Sequence, residues 1–139
     1  MQLLDILNSL MPAMWMAKIF ITIFLAILFL QSGLDKLFNW QGNLDWLKGH
    51  FAKTFLKSSV TMMLGVVMIT EIVAGTLCGI GLIEILLYKT VNFSLLGIEF
   101  SALNVVMLFF GQRIAQDYEG AATLTTYFVL IIIGIVLLS

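Results

Sequence analysis

Four apolar runs, at about residues 12–31, 60–83, 95–111 and 121–138, constrain this chain more than any motif in it. Each is close to the roughly 20 residues that an α-helix needs to cross the hydrocarbon of a bilayer. The expected fold is therefore an all-α membrane protein, a bundle of four transmembrane helices with an amphipathic interfacial helix between the first and second. With 139 residues, little chain is left over, and residues 1–139 are expected to form one integral membrane domain. Composition agrees: 61% of residues are hydrophobic and 11% charged, against roughly 25% charged in an ordinary soluble domain. The net charge of −1 provides no basic face for phosphates, which excludes nucleic acid as a partner. The bilayer is the expected partner, together with other membrane subunits.

Within the second run stands Glu71, with Gly75, Gly79 and Gly81 following it. A carboxylate at the centre of a membrane helix costs about 2.5–3.5 kcal/mol on insertion scales, so such a group is expected to face a bundle interior. Glu71, Gly75 and Gly79 fall at i, i+4 and i+8 and share a helical face, and Gly75-x-x-x-Gly79 permits close approach of another helix. Two roles fit Glu71: a ligand or proton site, or a strut that pins helices together. In the third run Asn104 lies at a similar depth and is within reach of a Glu71 hydrogen bond, whereas Glu99 is near enough to the second connection to reach the interface.

The remaining segments fill in around this centre. Residues 1–10 alternate Leu3, Leu4, Ile6, Leu7 and Leu10 with Asp5 and Asn8, which fits a short surface-lying helix or a lead-in to the first span. Pro12 suits a helix first turn, and Lys18 can snorkel to the headgroups. No positive cluster precedes the apolar core and no small-x-small site follows Leu30, so a cleavable signal peptide is not expected. From Asn43 onward, Leu44, Leu47, Phe51 and Phe55 recur at spacings of three and four, with His50, Lys53 and Lys57 on the other face and Trp40 and Trp46 at headgroup level. This segment either floats on the membrane and closes one end of the bundle, or gates an internal cavity. Ser58 and Ser59 are expected to cap the second span, and Asn92 or Ser94 the third.

The first and third connections share a side and carry Lys36, Lys48, Lys53, Lys57 and Arg113, against Lys18 and Lys89 on the other. The positive-inside rule then places the termini on the non-cytoplasmic side.

Two stretches carry a resemblance. Phe29-Leu30-Gln31-Ser32-Gly33-Leu34-Asp35-Lys36-Leu37 looks like the first signature of the DoxX-like family, an apolar helix ending in Gly with a Lys three positions on. Glu71-Ile72-Val73-Ala74-Gly75 followed by Gly81 resembles its second signature, and Asp117-Tyr118-Glu119-Gly120-Ala121-Ala122 resembles the family's approach to its last span. The resemblance implies a four-helix bundle in a bacterial inner membrane. It also implies a link to quinone-coupled chemistry, as in the DoxD/DoxA thiosulfate:quinone oxidoreductase, or to membrane assemblies that counter oxidative stress.

The residues bear on that chemistry unevenly. His50 is the only histidine and lies outside the spans, which leaves haem without an axial histidine in the bundle. Cys78 is the only cysteine and cannot form an internal dithiol or hold a cluster; it reads as a small packing residue. Glu-x-x-His pairs for a di-iron bundle are missing. No metal or haem site and no resident cofactor are expected from this chain alone. A bound quinone or lipid asks for less, an apolar slot with one or two groups that hydrogen-bond to a carbonyl. Glu71, Asn104, Gln31, Lys36 and Glu99 are the candidates for those groups, and Gly33, Gly75, Gly79 and Gly81 for the close helix contacts around them. The functional readings are an accessory subunit of a larger membrane complex, a quinone-linked oxidoreductase subunit, and a carrier of a small lipophilic ligand or proton. The residues leave open whether the chain is an enzyme.

Overall fold

The computed structural model describes residues 2–139 and contains five helices: α1 (Leu3–Phe38), α2 (Trp40–His50), α3 (Val60–Tyr88), α4 (Asn92–Ile114) and α5 (Tyr118–Leu138). Four of them, α1, α3, α4 and α5, are long and apolar enough to cross a membrane. The chain is a multi-pass membrane protein and an all-helical bundle in contact with lipid.

The helices overrun the apolar runs. At 1.5 Å per residue, α1 is about 54 Å long against a hydrocarbon layer of about 30 Å. It begins at Leu3 with no break, so residues 3–10 are the start of the first span's helix and form no separate surface helix. Pro12 lies well inside α1 and not in its first turn; the helix continues past the one backbone bond that Pro removes. Exposed Leu3, Leu4, Leu7, Leu10 and Met11 carry α1 beyond the rest of the bundle, whose first buried α1 residue is Ile21.

The bundle packs α1 on α3, α3 on α4 and α4 on α5, with a lighter contact between α5 and α1 closing the ring. Its core is Ile21, Leu25, Phe29, Ala74, Cys78, Ile98, Val105 and Ile131. At one end a second apolar cluster, Leu44, Phe51, Val60 and Leu64, seats α2 against α3.

Two local expectations need correction here. The amphipathic segment is helical only to His50; residues 51–58 form turns. Phe51 is buried, but Phe55 is exposed because the helix that would have brought it to the same face has already ended. Helix capping also differs. Ser59 precedes α3 without a side-chain cap bond, and neither Asn92 nor Ser94 is the residue before α4, which is Val91. The carboxylate of Glu84, from the last turns of α3, caps α4 instead. It accepts from Thr90 Oγ1 at 2.6 Å, Asn92 N at 3.0 Å, Asn92 Nδ2 at 3.1 Å and Phe93 N at 3.0 Å. Orphan N–H groups at a helix start need such acceptors, and an anion there also suits the helix dipole.

Candidate functional site

Two regions meet α3 one helical turn apart, one at Glu71 and the other at Val67, and they are built differently. The first joins α1 to α3. Gly33 and Gly75 bring the helices close: a Cβ on Gly33 would stand 3.0 Å from the Ile72 backbone nitrogen, and one on Gly75 would stand 2.6 Å from that of Leu30. Between these contacts Glu71 turns toward α1 and is 2% exposed. Lys36 donates from Nζ to Glu71 Oε1 at 3.1 Å and lies 2.9 Å from Oε2, and Ser32 donates to Oε1 at 3.0 Å. Lys36 also donates to Ser32 Oγ at 2.9 Å. Lys36 is thus a residue of α1, turned inward, and not part of a connection. The carboxylate is paired and hydrogen-bonded within the protein, as a charge withdrawn from water must be.

The expected Glu71 to Asn104 bond is not formed. Asn104 is fully buried on α4 and donates from Nδ2 to Thr70 Oγ1 at 2.8 Å and to the Val67 carbonyl at 3.3 Å. Thr70 and Glu71 are adjacent in α3, so their side chains leave the helix about 100° apart. One meets α4 and the other meets α1. Asn104 Oδ1 has no hydrogen-bond partner among the described residues.

The other candidates stand apart from both. Gln31 is exposed, beside a groove between α1 and α5 formed with Phe24, Ile27, Leu28 and Tyr127. Glu99 is exposed on the outer side of α4. Gly79 does not continue the packing stripe, since a Cβ there meets nothing within 4 Å; at i+8 from Glu71 it has rotated about 80° away from α1. Gly81 faces α4 instead, against Ser94, and Gly97 of α4 reciprocates against Cys78.

The second region is a cavity of about 360 Å³ beneath α2, within the usual range for small-molecule sites of roughly 300–1,000 Å³. Its wall is mostly apolar, with Leu47, Met63, Leu64, Val67, Met107 and Leu124 from four helices. The polar groups gather at its rim. His50 Nε2–H donates to Gln112 Oε1 at 2.7 Å, and Asp117 Oδ2 lies 3.8 Å from the same nitrogen. The imidazole stacks on Trp46 with ring centroids 4.5 Å apart and meets Phe51 edge-on. Asp117 is held in turn by capping α5, accepting from Gly120 N at 2.9 Å. Gly120 makes room for the arrangement, because a Cβ there would stand 2.5 Å from Gln112 Nε2.

In the sequence His50 falls on the polar face of the amphipathic segment, and Gln112 and Asp117 follow the third apolar run with no spacing that links the three. Tertiary folding brings the three together, 62 residues apart in the case of His50 and Gln112. The only available signal was that the single histidine lies within an amphipathic segment. Chemically, the rim offers an imidazole whose Nε2–H is taken by Gln112 and whose Nδ1 can accept a proton and, once protonated, donate to a carbonyl oxygen, above a slot suited to an apolar ring.

A family model described as DoxX matches residues 17–107, more than half of the chain. No curated protein and no solved structure matches it.

Proposed function

The chain belongs to the DoxX family of membrane proteins, and we propose that it serves as a ligand-holding subunit of a larger bacterial inner-membrane assembly, its α2-capped cavity taking the ring of a quinone-class lipophilic molecule. The observation that carries this reading is the cavity itself: apolar over most of its wall, with His50 and Gln112 at the rim. A quinone carbonyl asks for one hydrogen-bond donor at the edge of an apolar slot, and an imidazole can both donate and exchange the proton that accompanies reduction. Electrons for such a reduction come from a partner subunit.

Glu71 takes the strut role, because Lys36 and Ser32 already engage its carboxylate. On this reading Lys48, Lys53, Lys57 and Arg113 mark the cytoplasmic end of the bundle. The termini lie on the opposite side, and the cavity mouth opens at the cytoplasmic face.

Titration of decylubiquinone into the protein in nanodiscs tests the reading, because Trp46 lines the cavity and its fluorescence reports occupancy. Saturable quenching is expected. Gly120→Val, which crowds Gln112 and Asp117, is expected to weaken it. Quenching that rises linearly with probe concentration, as partition into lipid gives, would rule the cavity out.

A further inference from the structure

Glu71 and Glu99 are both acids within membrane-spanning helices, and only the first has a partner inside the protein. Glu99 is exposed and makes no hydrogen bond or ion pair among the described residues. It stands seven residues into α4, about 10 Å along the axis from Asn92. Its neighbour Ile98 is fully buried and packs against Gly134 beside Ile21, which fixes the layer of the bundle at which Glu99 emerges. An ionisable group in a span almost always faces an interior or a partner. Here the protein provides neither, which leaves a partner chain or the headgroup level to receive the carboxylate.

The surface around it is patterned. Leu96, Glu99, Leu103, Val106 and Phe110 are all exposed and follow one another at spacings of three, four, three and four. That alternation is the seam a helix presents to a second helix packed along it, and a single polar residue in such a seam fixes register. We propose that the outer face of α4 docks a transmembrane helix of a different protein, one that carries Lys or Arg at the level of Glu99.

Charge decides the occupant. Two copies meeting through this face would set Glu99 against Glu99, since a two-fold contact pairs each surface with itself, and like charges in a dry contact repel. The chain's own cations do not serve either. Lys36 is engaged by Glu71, Arg113 lies over the Tyr118 ring, and Lys18, the nearest in level, is half-buried over Trp15. Lys48, Lys53, Lys57 and Lys89 belong to α2 or to connections. A basic group from another chain is the complement. This inference rests on the subunit half of the reading above and is independent of the cavity.

The test places a photo-crosslinking amino acid at Leu103 in the full-length protein and maps its products in native membranes. The expected product is a transmembrane helix of another protein with Lys or Arg within one turn of the Glu99 level. Glu99→Lys is expected to lower its yield about tenfold or more, as charge reversal at a desolvated pair does, and reversing the partner's cation to Glu is expected to restore it. Glu99→Leu, which suits lipid and does not burden insertion, should lower the yield as well and keeps the test readable if Glu99→Lys fails to accumulate. Crosslinks to a second copy, to lipid alone or to a helix without a cation at that level would overturn the proposal, as would a yield unchanged by both Glu99 variants. Decylubiquinone quenching by the Glu99→Leu protein in nanodiscs scores the cavity separately, and it is expected to match wild type.

Discussion

One turn of α3 separates Glu71 from Val67, and the two residues serve opposite ends. Around Glu71 the helices approach through Gly33 and Gly75, and the charge is paired with Lys36. At Val67 the backbone carbonyl is tied to Asn104 of α4, while its side chain lines a cavity that α2 covers. A closed polar knot resists change because each part is over-determined. An open apolar slot with a polar rim has capacity left for a guest. On the function proposed above, the α1–α3 pair fixes the frame and the end under α2 takes the ligand.

The largest expected effect comes from breaking the knot. Lys36→Ala leaves Glu71 buried without its cation, and loss of one partner of a buried pair costs about 3–5 kcal/mol. Thermal unfolding in detergent should show a strongly destabilised protein. Replacing both partners, Lys36→Met with Glu71→Leu, is expected to recover most of the loss, since two apolar side chains of similar size remove the unpaired charge. A double variant as unstable as the single one would show that the pair does more than hold the frame.

Next comes the glycine that lets the knot form. Gly75→Ala sets a Cβ 2.6 Å from the Leu30 backbone nitrogen, and forcing helices apart in this way costs about 1–3 kcal/mol. Unfolding measured as for Lys36→Ala should show a smaller but clear loss. An unchanged melting temperature would mean that α1 and α3 pack less closely than drawn here.

The cavity responds to a different measurement. His50→Ala removes the rim donor, and the loss of one hydrogen bond in a ligand site is worth about 1–1.5 kcal/mol, roughly tenfold in Kd. Decylubiquinone affinity is expected to fall by that factor while stability changes little, because the imidazole's partners Gln112 and Asp117 are both only half-buried. Equal affinity would move the polar contact elsewhere, and a large loss of stability would place His50 in the frame after all.

How much of this was legible in the sequence follows the same division. The four spans and the all-α class could be read from hydropathy, because burial in lipid leaves a continuous one-dimensional signal. The family could be read as well, from Gly33 with Lys36 and from Glu71 with Gly75. Partners across helices could not. Glu71 and Asn104 were matched by depth alone, and depth contains no rotation: Thr70 meets Asn104 while Glu71 meets Lys36. Helix ends were obscured for a related reason. The three-four spacing of apolar residues continues through Phe55, but α2 stops at His50, where the chain must turn back toward α3. The cap that Glu84 provides was not legible either, because one supplied from eight residues upstream leaves no local pattern such as Ser or Asp just before the helix.

The smallest effect is the most discriminating for the comparison between closed and open regions. Gly75 and Gly79 look equivalent in sequence, as the two ends of one Gly-x-x-x-Gly, yet only Gly75 touches another helix. Gly79→Ala adds a methyl into open space and removes backbone freedom from the unfolded chain, which is worth about 0.4–1 kcal/mol in favour of the fold. The same substitution four residues apart is thus expected to move stability in opposite directions, down at Gly75 and slightly up at Gly79. If Gly79→Ala is instead destabilising, a surface must cover it in the working protein. The docked subunit would then reach α3 as well as the Glu99 seam of α4.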